Sequence, residues 1–347
     1  MNNKNNDAIS MPAIVSIGEV LIDFIAHEEN INLKEVSSFV KFPGGAPTNV
    51  VVAASTLGAK AGLISRVGAD PFGDFLIETL RSKGMDVSQI TRDTEHHTGV
   101  VFVELKRAKP NFTLYTNVAY NFMKVNDLNA QYIRSAEVLN FGSVTLLMEP
   151  SRSTTFEAIS LAKGHCAISC DVNFRKDLWR NKEEEMWSLA ERALKDVDIL
   201  KVGSDEALQL GQYLNPSRKN PSLEESLRDI YTLLNPKLIA VTLGEKGSRV
   251  LLIQNQKVQF DMKIEVYKVA TKSTVGAGDA FFGSLLYTLH KLQKLRKLTS
   301  LTEKELKSAL TFSNTYAALC TTLKGAWNHP KIEDLLHIKV IKENYIQ

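Results

Sequence analysis

Cysteine is scarce in this chain. Cys166, Cys170 and Cys320 are the only three among 347 residues, too few and odd in number for a disulfide framework, so a reducing cytoplasm is the expected setting. Cys166 and Cys170 share parity with Ile168 on a strand-like run, which suits buried thiols better than metal ligands. Long apolar runs are missing as well, since none approaches the roughly 20 residues of a membrane-crossing helix. Residues 1–11 are largely polar and Asn-rich, lack the apolar core of a signal peptide, and are expected to fray as a disordered tail. Charge of one sign is lacking: 42 Lys and Arg against 39 Asp and Glu leave a net charge of +3, which argues against a nucleic-acid partner. The local cluster of Lys291, Lys294, Arg296, Lys297 and Lys304 reads as a solvated helix end and loop. No internal repeat or low-complexity linker occurs. Two nucleotide motifs are absent too, because G-x-x-x-x-G-K-[ST] is nowhere found and Gly276 and Gly278 have no third glycine at dinucleotide-binding spacing.

What is present is an ordinary globular composition, 44% apolar and 23% charged, long enough to bury a substantial core. The patterning predicts a strand over 14–24, a helix over 47–57, a strand over 60–67 and a helix over 72–83 closed by Gly84. Runs over 100–105 and 112–115 flank Lys109-Pro110-Asn111 and predict a hairpin. From 138 onward strands (138–141, 167–172, 199–202, 238–243) alternate with helices (151–162, 183–194, 205–212, 223–234), which implies crossover units and a mostly parallel sheet. Ligands of such sheets collect beyond the carboxyl ends of the strands. A last amphipathic helix is expected over 304–323.

One stretch carries chemistry. Ser273-Thr274-Val275-Gly276-Ala277-Gly278-Asp279-Ala280-Phe281 follows a strand-like run over 263–269, turns through two glycines and opens an apolar helix reaching about 289. The glycines allow close backbone approach, and the unpaired amides of a first helical turn make a cradle for an anion. A carboxylate beside such a cradle would repel phosphate unless it takes a proton, so Asp279 suits a general base; the plainer alternative is a partner for the helix dipole. Asp23, set among Leu21, Ile22 and Phe24, is costly to bury without partners such as sugar hydroxyls, or else it is an exposed strand-end carboxylate. Asn49 projects from a first helical turn toward the same mouth, or caps locally. Arg175 offers fixed donors and a permanent charge to a phosphoryl group or a sugar, or else makes a surface ion pair.

The stretch from Ser273 to Phe281 resembles the D-T-x-G-A-G-D signature of the ribokinase-like (PfkB) carbohydrate kinases. Gly44-Gly45-Ala46-Pro47-Thr48-Asn49-Val50, with Leu57-Gly58, Gly68-Ala69-Asp70 and Phe72-Gly73, is similar to their N-terminal pattern. Asp171-Val172-Asn173-Phe174-Arg175 with Leu178-Trp179, and Gly18-Glu19 with Asp23, resemble fructokinase-like members in particular. The resemblance runs from about residue 14 to 326. It implies a three-layer α/β fold with a mostly parallel sheet, a kinase domain over 12–347, and a small β-sheet lid from segments near 25–43 and 98–123.

The implied function is an ATP- and Mg²⁺-dependent sugar kinase, with D-fructose to fructose 6-phosphate the first choice. 2-Keto-3-deoxygluconate, another sugar, a nucleoside, or a catalytically silent sugar sensor are the alternatives. By resemblance, Asp279 takes the hydroxyl proton while the amides of Ala277, Gly278 and Asp279, in the turn that Gly276 opens, stabilise charge on the phosphoryl oxygens and Arg175 assists. Asp23, Gly44, Gly45 and Asn49 hold the sugar. Thr242, Gly244, Gly247 and Asn314 contact the nucleotide, Glu206 organises Mg²⁺ through water, and Gly325 contributes a backbone oxygen to a K⁺ site. Some positions depart from the pattern: Gly203 replaces an Asn of the metal shell, Ser273 replaces the first Asp of the signature, and Thr116 and Asn121 stand where lids carry Arg and Asp. Exposed lid strands near 112–115 are edge-pairing surfaces, so a homodimer through the lid is expected.

Overall fold

A computed structural model describes residues 11–28, 30–106, 109–179 and 182–344; the expected frayed tail falls outside them except for Met11. The thirteen described strands, numbered in chain order, form two sheets. The large sheet has nine strands in the order β13-β12-β11-β10-β9-β8-β1-β4-β5. These are β1 (Ile14–Ile17), β4 (Ala61–Gly68), β5 (Ile90–Asp93), β8 (Val138–Gly142), β9 (Ala167–Asp171), β10 (Ile199–Gly203), β11 (Leu238–Thr242), β12 (Ser248–Gln254) and β13 (Lys257–Ile264). All neighbours from β5 to β11 are parallel, and β12 and β13 add an antiparallel edge. The small sheet runs β3-β2-β6-β7, from β2 (Leu21–Ala26), β3 (Phe39–Gly44), β6 (Gly99–Lys106) and β7 (Lys109–Leu114).

Parallel strands covered on both faces are mostly apolar at successive positions, here interrupted by buried polar residues such as Ser16, Asn140, Ser169 and Lys201. Leu238 and Ala240 of β11 join one core with the helices Ala46–Thr56, Pro71–Ser82, Ala277–Lys291 and Glu303–Cys320. Ile239 and Val241 join the other, with the helices Ala130–Ser135, Ser151–Ala162, Glu183–Leu194, Ser204–Leu214 and Leu223–Leu233. A third, smaller core of Leu21, Val101, Val103, Val118, Tyr120 and Val144 lies under the small sheet. Local chemistry fixes several helix starts. The Asp70 side chain accepts from the amides of Phe72 and Gly73, and Thr302 and Glu305 form a reciprocal capping box.

The expected strand over 14–24 is two strands in different sheets. Between them the chain passes close to the helix that follows: a Cβ on Gly18 would meet Pro47 Cγ at 2.3 Å, and the Glu19 carbonyl accepts from Thr48 Oγ1. The strand expected over 263–269 lies earlier, at 257–264. It pairs with β12 through a turn at Asn255 and Gln256, whose φ angles of 52° and 57° are those of a two-residue hairpin written without its usual glycine. Residues 265–271 are left irregular. The hairpin expected near 100–115 forms as β6 and β7, and its turn at 107–108 lies outside the described residues.

Candidate active site

The crossing from β1 to β2 puts two carboxylates on the wall of a cavity of about 220 Å³. Glu19 lies in the crossing and Asp23 on β2, and Asn49, Arg175 and Asp279 complete the polar side. Leu21, Val101, Phe112, Leu114 and Val144 form the apolar side, so the small sheet closes over the cavity. Gly44 and Gly45 are required by contact: a Cβ on Gly44 would sit 2.2 Å from Asp23 Oδ2, and one on Gly45 2.3 Å from the Glu19 carbonyl. Glu19 Oε1 accepts from the Ala46 amide at 3.2 Å, whereas Oε2 has no partner among the described residues. Burial pushes Glu19 up to about 7, against the opposing pull of hydrogen bonds from its own and the Ala46 amides and of Arg175. Burial also pushes Asp23 to about 7, with Arg175 again opposing.

Asp279 lies at the start of the helix Ala277–Lys291, directly after Gly276, which is left-handed with φ 77°. Asn49 Nδ2 donates to Asp279 Oδ2 at 2.7 Å, and Trp327 Nε1 donates to Asn49 Oδ1 at 2.6 Å. Burial raises the Asp279 pKa above the ordinary carboxylate value, while Lys201, the Asn49 amide and Arg175 restrain it. Lys201 makes a two-pronged ion pair with Asp171, 2.9 Å to each oxygen, and a Cβ on Gly278 would be 3.1 Å from its Nζ. Burial opposes the Lys201 charge, but Asp171, Glu206 and Asp279 overcome it and its pKa lies above the usual lysine value. A cation is thereby held beside the first turn of the Asp279 helix. Arg175 stacks its guanidinium on the Phe112 ring at 4.9 Å, joining the segment after β9 to the small sheet.

The amide cradle is narrower than the sequence suggests. The Ala277 N–H donates to the Thr274 carbonyl at 3.2 Å, which leaves the amides of Gly278 and Asp279 without backbone partners. Glu206 is also committed, accepting from the Gly203 amide at 2.7 Å and from the Phe174 amide at 2.8 Å. No group of three or more His, Cys, Asp or Glu suited to a metal occurs among the described residues. This donor set fits Mg²⁺ only as an ion that keeps its waters and is carried mainly by phosphates.

On the other side of Gly278 lies a groove of about 660 Å³, lined by Thr242, Gly244, Gly247, Tyr267, Phe281 and Asn314 among others. Thr274 borders both spaces, so the Gly276–Asp279 turn is their common wall. Gly247, with φ 90°, lies where a Cβ would strike the Ile264 carbonyl at 2.0 Å. Asn314 spends its NH₂ on the carbonyls of Ile264 and Glu265, at 3.0 and 2.9 Å, so it holds the irregular segment in place and keeps only Oδ1 for a ligand. Gly325 and Ala326 are wedged between Phe42 and Gly276, at Cβ clearances of 2.6 and 2.9 Å. Next to them the Thr321 carbonyl accepts from the amides of Lys272 and Ser273. Neither Thr116 nor Asn121 lines the cavity; the Asn121 NH₂ is used on the Thr116 carbonyl.

The structure thus brings Asp23, Gly45, Asn49, Arg175, Gly276 and Asp279 to one cavity, and Thr242, Gly244, Gly247, Gly278 and Asn314 to the adjoining groove. Sequence reasoning gave no role to Lys201 or Trp327 and named Glu19 only within the Gly18-Glu19 and Asp23 pattern. A lysine inside the apolar run of β10 was the one available signal for Lys201.

Residues 11–332 match the pfkB family carbohydrate kinase. The chain belongs to that family of sugar kinases, whose members number among its relatives an uncharacterized sugar kinase of Pyrococcus horikoshii, 43% identical over 95% of this chain and 96% of that one. The structure of that kinase in complex with ATP superposes with a TM-score of 0.81, covering 96% and 100% of the two chains at 41% identity. Fructokinase-2 of Solanum lycopersicum is 35% identical over 92% and 94% of the chains. The fructokinase of Vibrio cholerae O395, solved with fructose, ADP and calcium ion, superposes with a TM-score of 0.75, covering 92% and 96% at 29% identity, and its double mutant was solved with fructose, ADP and potassium ion.

Proposed function

We propose that this sugar kinase transfers the γ-phosphoryl group of ATP to a primary hydroxyl of a ketose, D-fructose being converted to fructose 6-phosphate. The observation that carries the reading is Asp279. Its carboxylate stands where the small polar cavity meets the large groove, beside two amides with no backbone partner. The sugar occupies the cavity, with Asp23, Asn49 and the free oxygen of Glu19 as hydroxyl partners, and the nucleotide lies along the groove. Asp279 removes the hydroxyl proton as the oxygen attacks. The amides of Gly278 and Asp279 take up charge on the transferring group; preorganised donors of this kind contribute roughly 2.7–4 kcal/mol each. Arg175 and Lys201 add positive charge on either side, and phosphoryl transfer depends mainly on such positioning and charge stabilisation. Mg²⁺, when bound, would neutralise charge on the phosphate oxygens, and Glu206, though holding two backbone amides, would be the carboxylate to meet its waters. A K⁺ ion would rest on backbone oxygens near Gly325, without the carboxylate that Ser273 replaces.

Fructose is favoured by the relatives named fructokinase and by the cavity wall. Among the described residues Phe112 is its single aromatic lining residue, and Arg175 covers that ring, so no pair of described rings is available to clamp a nucleobase. The small sheet acts as a lid that keeps water from the phosphoryl group, and its exposed edge near 112–115 pairs with a second copy. ADP release with Mg-ATP tests the reading against fructose, tagatose, ribose, 2-keto-3-deoxygluconate, fructose 6-phosphate and adenosine. Turnover with fructose is expected. Turnover with a different acceptor replaces the substrate, and ATP binding without turnover on any acceptor overturns the catalytic reading.

A further inference from the structure

We propose that Trp327 is a positioning residue for phosphoryl transfer, acting through the side-chain amide of Asn49 on the carboxylate of Asp279. The proposal rests on the reading of Asp279 as the base. Trp327 does not line the sugar cavity and so contacts nothing bound there. Its Nε1 donates to Asn49 Oδ1 at 2.6 Å, and Asn49 Nδ2 donates to Asp279 Oδ2 at 2.7 Å.

The direction of this chain is set by the chemistry of its ends. An indole N–H can only donate and an ionised carboxylate can only accept, whereas an amide does both. Turned over, Asn49 would place its NH₂ against the indole N–H and its oxygen against the carboxylate, losing two hydrogen bonds and adding two repulsions. Trp327 therefore selects the amide orientation that donates to Asp279. That donation favours the charged form needed to accept a proton, and it engages Oδ2 while Oδ1 has no hydrogen-bond partner among the described residues.

Trp327 can impose an orientation because it is itself fixed. It is 1% exposed, its carbonyl accepts from Lys83 Nζ at 2.7 Å, and the preceding Gly325 and Ala326 are held between Phe42 and Gly276. The fixed indole thus ties the base to the same segment that abuts the small sheet and the glycine turn.

Other charges also reach Asp279. Lys201 on β10 and Arg175 after β9 favour its ionisation, and Glu206 on the helix Ser204–Leu214 opposes it. Asp171, Glu19 and Asp23 feel its charge in turn. On the Trp327 side stand Lys83 and His329, the latter pushed down to about 3 by burial and so neutral. Removing the indole N–H alters none of these groups and isolates the amide's contribution.

The test is Trp327→Phe, together with benzothienylalanine placed at 327, which keeps the indole shape and lacks the N–H, should the phenylalanine variant fail to fold. Loss of the donor is expected to lower kcat about tenfold and to move the acid limb of the kcat–pH profile to higher pH, with KM for ATP within about twofold of the parent. In an Asn49→Ala background the same replacement is expected to have no further effect on the residual kcat. An unmoved pH profile in the isosteric variant, or an equal loss in both backgrounds, overturns the proposal. Turnover surviving in Asp279→Asn overturns the base reading itself, and the proposal with it, independently of Trp327.

Discussion

As the proposed base, Asp279 must be charged to act, in a place where burial opposes its charge. Its raised pKa means that the ionised fraction is lost as pH falls through a value above the ordinary carboxylate range, so kcat is expected to decline on the acid side earlier than a solvent-exposed aspartate would dictate. Asp279→Asn keeps the shape and hydrogen bonding of the site but removes the base; turnover should drop by at least two orders of magnitude while ATP still binds, as titration calorimetry would read. Glu19 presents the opposite problem. A carboxyl whose folded pKa is about 7 binds more protons folded than unfolded between pH 4.5 and 7, so its contribution to stability falls as pH rises through that window. The shift corresponds to about 3 kcal/mol. Glu19→Gln should therefore melt higher than the parent at pH 8, with the difference vanishing near pH 4.5 in a pair of thermal scans. Equal melting temperatures at pH 8 would show that Glu19 carries no such burden.

The element on which the site turns is the helix start at 276–279. Gly276 combines a left-handed backbone with a Cβ clearance of 2.9 Å to Ala326, so alanine there meets both strain and contact. Gly276→Ala is expected to cost about 1–3 kcal/mol of stability and to weaken ATP binding, because the strained turn carries the amides of Gly278 and Asp279 with it. Denaturant unfolding and nucleotide titration on the same sample check both halves. The neighbouring edge shows why some elements were hard to read. The β12–β13 turn uses Asn255 and Gln256, not an Asn-Gly pair, so no local residue announced it. The run over 263–269 looks like an edge strand by alternation, but the strand ends at Ile264, where the Asn314 amide takes the carbonyls of Ile264 and Glu265.

Across the whole molecule, the small sheet has two faces with different work. The inner one covers the cavity that Asp23 and Asp279 line. The other carries a run of touching rings: Phe24 stacks on Phe102 at 5.4 Å, Phe39 meets Phe102 at 5.2 Å, and Tyr115, which is 54% exposed, meets it at 6.3 Å. Phe24 also packs edge-on against Phe72 of the helix Pro71–Ser82 at 5.7 Å, so Tyr115 is the exposed ring of this run, and association of two copies would rest on the strand edge it flanks. A dimer is expected by light scattering after gel filtration, and Tyr115→Lys should shift it toward monomer with little effect on the melting of the protomer. A monomeric parent would remove the lid-mediated dimer.

The sequence by itself determined the alternation of strands and helices, the glycine turn with its acid, and the double glycine before Asn49, because each depends on short-range sterics or periodicity that neighbouring residues dictate. Only the tertiary structure decided that the run over 14–24 divides between two sheets and that Asn314 serves the backbone. It alone brought Lys201 beside Gly278 and Trp327 to Asn49, residues 77 and 278 positions from their partners. Contacts of that kind follow from how distant elements pack, and no local pattern encodes them.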